Sequence, residues 1–244
     1  MIKFKEFLNE AQWMYHGTTE RNIDTLKPDR SHMVIDRALG SHFASDPEIS
    51  RKFASGLYKK DTKEPGTIYK TNDIKRSEFQ VVPQRRNKYG IIPSDQNAIG
   101  AHVLGTVLGH PNNKEMFKSW IKYARNIDDN KAEEVHNHLS SGRAPSDRDK
   151  FGNAASKFNS FRKYIGDYDS GLHMQPEPNF KEKVVNKYLD IMRSRGIKGL
   201  VYKNTAPMER NPEPRSKGEN MENRRSNKNY IVFDPDKLNL QKHE

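Results

Sequence analysis

Apolar positions along this chain fall into short bursts whose period switches between two and about 3.6, and those switches mark out its elements. The run Trp13-Met14-Tyr15-His16 predicts a strand over 13–16 that ends at Gly17, with a turn of helix over 21–26. Pro28 and its polar neighbours predict a loop over 27–39. A second strand is expected over 42–44. The helix after it has its own start signals: Asp46 can cap, Pro47 suits the first turn, and Ile49, Phe53 and Leu57 share a face. Residues 67–71 are β-favouring and follow Pro65-Gly66, which predicts a third strand.

Beyond residue 80 the pattern becomes helical. Helices are expected over 98–108 and 114–124, with a polar loop over 140–149 and no internal repeat. Val184, Val185, Tyr188, Leu189 and Met192 form one face of a helix over 180–195, closed by Gly196. Strands are then expected over 199–202 and 230–233. Residues 203–228 between them make a long polar loop, a length that inside a compact domain points to function or disorder.

Composition narrows the possibilities. Apolar residues are only 33% of 244, so the core must be thin for one large domain or a domain with an insertion. No apolar run approaches the roughly 20 residues needed to cross a bilayer, and no membrane partner is expected. With 0 Cys, disulfides, thiol catalysis and thiolate metal sites are excluded. A net charge of +11 favours polyanionic surroundings, although the basic residues are dispersed and form no recognisable nucleic-acid motif. Neither a phosphate-cradling Gly-Lys-Ser/Thr loop, a Gly-x-Gly-x-x-Gly fingerprint nor a serine nucleophile elbow is present. His136 and His138 could chelate a metal, but a solvated helix face is the simpler reading, and no metal site is expected.

Three distant segments carry the functional signal: Tyr15-His16-Gly17-Thr18, Gly40-Ser41-His42-Phe43-Ala44 and Asn229-Tyr230-Ile231-Val232-Phe233-Asp234. In this order they resemble the diphtheria-toxin and poly(ADP-ribose)-polymerase branch of the ADP-ribosyltransferases. The resemblance implies an α+β fold, a split antiparallel β-sheet core with a largely helical insertion, and NAD as a substrate. It implies that His16 bonds a ribose hydroxyl, that the Gly17 backbone meets the nicotinamide amide, and that Thr18 and Phe43 lie in the same cofactor-binding segments. His42 takes the place of the family's stacking Tyr. Ser50 and Phe53 stand seven and ten residues after Phe43, where the family has a Ser that bonds the carboxamide and an aromatic that covers the ring. The family strand Glu-Tyr-Ile-Val-Tyr-Asp is matched except that Asn229 replaces its glutamate. A carboxylate there would stabilise positive charge on the ribose in the transition state, and Asn229 supplies none. Glu222, or Glu219, in the preceding loop is a candidate substitute.

The first ten residues are set apart. Phe4, Phe7 and Leu8 have helical spacing, and Leu8-Asn9-Glu10 before Ala11 resembles the capsid-targeting peptide of internal head proteins in large tailed phages, cut after the glutamate. The strand ending Tyr-Ile-Val-Phe-Asp-Pro is also similar to transferase-like domains of phage polyvalent proteins. The expected organisation is therefore a cleaved peptide over 1–10, the first half of a transferase core over 11–79, a helical insertion over 80–179, and the second half over 180–244. The function this implies is mono-ADP-ribosylation of a host protein or nucleic acid by a protein packaged with phage DNA in the virion and delivered to the host cytoplasm. Two alternatives stay open: an NAD-dependent RNA 2′-phosphotransferase-like enzyme, and a non-catalytic basic head or host-takeover protein on a decayed transferase scaffold.

Overall fold

A computed structural model describes residues 12–20, 22–28, 30, 35–55, 66–82, 95–125, 128–140, 177–203 and 228–243. Among them are seven strands: β1 Met14–Thr18, β2 Ser41–Ala44, β3 Thr67–Thr71, β4 Phe79–Val81, β5 Gly199–Lys203, β6 Lys228–Val232 and β7 Gln241–Lys242. The helices are α1 Ile35–Leu39, α2 Pro47–Ala54, α3 Asp95–Leu108, α4 Lys114–Arg125, α5 Asp129–Ser140 and α6 Phe180–Ser194. The architecture is α+β.

The strands form one mixed sheet in the order β4-β5-β6-β2-β1-β3-β7. All neighbours are antiparallel except β4 and β5, so the antiparallel expectation gives way at that one pair. Pairing is uneven across the middle. β1 and β3 stay in register from Met14 opposite Thr71 to Thr18 opposite Thr67, and β2 and β6 from Ser41 opposite Val232 to Ala44 opposite Asn229. By contrast, the register of β1 and β2 is a single pair, Tyr15 opposite Ala44. This seam separates a four-strand half from a three-strand half.

The two faces of the sheet are covered differently. One carries the larger core, in which Leu200, Ile231 and Phe233 meet Leu39 of α1, Val103 and Val107 of α3, Phe117 of α4, and Val184 and Tyr188 of α6. The other carries a smaller cluster of Met14, Phe43, Phe79, Tyr230 and Val232, closed by Leu26 and Ile74.

Local chemistry explains the helices that position the site. The Asp46 carboxylate accepts from the Glu48 N–H at 2.9 Å and Pro47 occupies the first turn, so α2 starts where the sequence predicts. At the far end of α6, Gly196 has φ +71°, its N–H bonds the Arg193 carbonyl, and the Ile197 N–H bonds the Met192 carbonyl. That paired closure needs a left-handed residue, which glycine supplies at low cost.

Several expectations are corrected. Residues 22–26 are not helical; Asn22 sits at φ 57°, which breaks a helix, and Leu26 is drawn into the smaller cluster. The loop expected over 27–39 ends in α1. Arg30 stabilises that short helix from outside, donating to the carbonyls of Ala38 and Leu39 at its end and to the Phe233 carbonyl. β4 and β7 were not anticipated. Leu57, the 140–149 loop beyond Ser140, nearly all of 203–228 and the first eleven residues lie outside the described residues.

Candidate functional site

The three motif strands are neighbours in the sheet, in the order β6-β2-β1. Asn229 lies opposite Ala44, and Ala44 opposite Tyr15, so one row of residues crosses from the third motif to the first. Residues opposed in a ladder share a face, and residues alternate along a strand. Tyr15, Gly17, His42, Ala44 and Asn229 therefore project to the helix-covered face. His16 and Phe43 project to the other, where their rings lie 5.3 Å apart. The seam is the place reached from both.

His16 is half-buried, and its Nδ1 lies 2.7 Å from the His42 carbonyl. A carbonyl only accepts, so Nδ1 bears the proton and Nε2 is left with a lone pair in the neutral ring. Desolvation lowers the His16 pKa, opposed by that carbonyl bond. The ring thus favours its neutral form, which can accept from a hydroxyl.

Gly17 is a close-approach position. A Cβ built on it would stand 1.8 Å from the Ser50 carbonyl oxygen, so α2 packs directly over the strand backbone. Ser50 is buried and its hydroxyl donates to the Tyr15 carbonyl at 2.8 Å, leaving oxygen lone pairs but no free proton in this arrangement. Phe53, three residues on in α2, is partly exposed. Thr18 turns away: its Oγ1 accepts from the Glu20 N–H at 3.1 Å. Phe43 is 2% exposed and serves as a core residue of the smaller cluster.

His42 is the most heavily engaged member. Its Nδ1 lies 3.0 Å from the Tyr202 hydroxyl, and its Nε2 lies 3.8 Å from Oδ2 of Asp36. Asp36 and Tyr202 are buried, and Tyr202 stands directly opposite Asn229 on the β5–β6 ladder. Asn229 is itself buried. The structure therefore gathers Asp36, His42, Tyr202 and Asn229 into one polar patch beneath helices. Sequence reasoning missed Asp36, which sits in a segment read as loop, and Tyr202, which it placed only within a strand.

Glu222 and Glu219 lie outside the described residues. His136 is not on a solvated face: it is 1% exposed, its ring lies 5.3 Å from Phe117, and its Nε2 approaches the His110 carbonyl at 3.2 Å. Burial shielded by α4 and the turn before it overrides the polar look of its own helix. Among the described residues no group of His, Asp and Glu could hold a metal ion. Compared with known proteins, the chain matches no family model, no curated protein and no solved structure.

Proposed function

We propose that this chain is an NAD-dependent mono-ADP-ribosyltransferase with an ADP-ribosyltransferase-like core split at the β1–β2 seam. The observation that carries the reading is the adjacency of β6, β2 and β1. Asn229 is far from His42 in sequence, yet its strand lies beside that of His42 rather than at an edge. The packing of Ser50 over Gly17 adds to it, because the two groups assigned to the carboxamide are in contact. On this reading NAD is the substrate, nicotinamide lies at the seam beside His42 and Phe53, and the ribose lies toward Asn229.

Bond cleavage would expel neutral nicotinamide from the ribose C1′, and an acceptor atom of a host protein or nucleic acid would take its place. Asn229 can hold a ribose hydroxyl but adds no charge to stabilise the cationic transition state, so turnover is expected to be slow and limited to one ADP-ribose. That same substitution favours a second reading, a basic host-takeover protein that binds NAD without cleaving it. Nicotinamide release from purified protein separates them. Wild type should release it slowly and Asn229→Glu about tenfold or more faster, since one such electrostatic contact is worth ~10²-fold in other enzymes. Release from neither protein would sink the enzyme reading and leave the binding one.

The location belongs to the same proposal: a phage head protein packed with DNA, trimmed after Glu10, and carried into the host. Its support is the Leu8-Asn9-Glu10-Ala11 sequence and the net charge of +11. N-terminal sequencing of virion protein should start at Ala11. A start at Met1 or Ile2 would remove the packaging argument without touching the fold.

A further inference from the structure

We propose that Asp36 and Tyr202 are positioning residues for His42: they occupy both sides of its ring, fix its tautomer, and hold it as a ready-made stacking platform at the β1–β2 seam. The platform's ligand, nicotinamide, rests on the reading given above; the positioning does not.

The geometry runs in one direction. A carboxylate can only accept, while a phenol hydroxyl can donate or accept. Asp36, 3.8 Å from Nε2, therefore favours the proton on that nitrogen, and Tyr202, 3.0 Å from Nδ1, can then donate to the lone pair left there. The opposite tautomer would leave a lone pair facing the carboxylate. The His42 side chain is 35% exposed, while that of Asp36 is 7%. Tyr202 is 5% exposed, so both partners stand behind a ring whose remaining surface faces out.

Such support answers a specific deficit. An imidazole offers less stacking area than the phenol ring it replaces, and a ring free to rotate would lose that freedom on binding. Fixing it beforehand removes the second cost. Charge also matters, because the nicotinamide of NAD is cationic and an imidazolium would repel it. Asp36 from α1 and Tyr202 from β5 face the two ring nitrogens of His42, and His16 from β1 bonds its backbone carbonyl. In the neutral ring Tyr202 can donate to the Nδ1 lone pair while the Asp36 carboxylate faces the Nε2 proton.

The test is ¹⁵N NMR of histidine-labelled protein across a pH titration, for wild type, Asp36→Asn and Tyr202→Phe, with NAD titrations at about pH 8. Wild type should show Nδ1 unprotonated and Nε2 protonated in the neutral ring, a readout that requires no variant. Asp36→Asn, which removes the charge facing Nε2, should raise the share of the Nδ1-protonated tautomer, whereas Tyr202→Phe should leave the proton on Nε2; a merely structural pair of contacts would not divide the variants in this way. Each variant should bind NAD about tenfold more weakly. An Nδ1-protonated ring in wild type, or an unchanged tautomer in Asp36→Asn with wild-type circular dichroism, would overturn the proposal. The expected tautomers, found together with no NAD binding by wild type, would uphold the positioning and overturn the nicotinamide reading instead.

Discussion

The β1–β2 seam and the α4–α5 helix pair each hold histidine, and they surround it in opposite ways. His136 is enclosed by apolar Phe117 and helix backbone, with one ring nitrogen near a carbonyl and Nδ1 buried without a hydrogen-bond partner among the described residues. At the seam, His42 is bracketed by a carboxylate and a phenol, and His16 is tied to the neighbouring strand's backbone. A histidine buried by apolar packing serves as a bulky core residue, and its polarity is a cost. One bracketed by polar side chains, beside the seam between two halves of the sheet, is arranged for contact with something else.

Mutations can sharpen that division. Phe117→Ala should cost the most, about 4 kcal/mol in denaturant unfolding, because a 0% exposed aromatic leaves a cavity between α4 and α5. NAD binding at the seam should be unchanged once the protein is folded. If NAD binding is lost in folded Phe117→Ala, the two regions are not separable. Gly17→Ala comes next, at about 3 kcal/mol, since the new methyl meets backbone that cannot rotate away. Unlike the first variant it should also abolish NAD binding, by pushing α2 and Ser50 off the strand.

Phe53→Ala leaves the fold nearly intact and tests the ligand alone. NAD should bind about 2 kcal/mol more weakly by calorimetry, the value of a lost aromatic anchor. Unchanged affinity would put nicotinamide elsewhere.

The smallest expected effect is on pH dependence. Burial lowers the pKa of both His16 and His136 from 6.5. The unfolded chain then binds protons at a higher pH than the folded one, so stability is fully present above about 6.5 and declines as pH falls through the folded values. Melting temperatures between pH 7.5 and 5.5 should fall in wild type and fall less in His136→Gln. An equal fall in both would place the acid sensitivity at the seam.

Legibility followed locality. β3, α2 and α6 were readable because their signals lie within their own residues: a β-favouring run, Asp46 and Pro47, an apolar stripe with Gly196. α1 was not, because five residues with a charged centre gain their order from Arg30 and from the core they cover. β4 and β7 are short, and partner strands distant in sequence define them. The same holds for the site. Gly17 and Ser50 announced themselves by motif, whereas Asp36 and Tyr202 become site residues only through the contacts that bring them to His42.

The position of β6 has a consequence for how the protein is made. It pairs with β2 on one side and β5 on the other, so a strand synthesised after both of them completes the middle of the sheet. Until residues 228–232 have left the ribosome, β2 and β5 each present an open edge able to pair with another chain. Such distant closure predicts slow folding, and a product truncated before residue 228 should aggregate rather than persist as a soluble fragment.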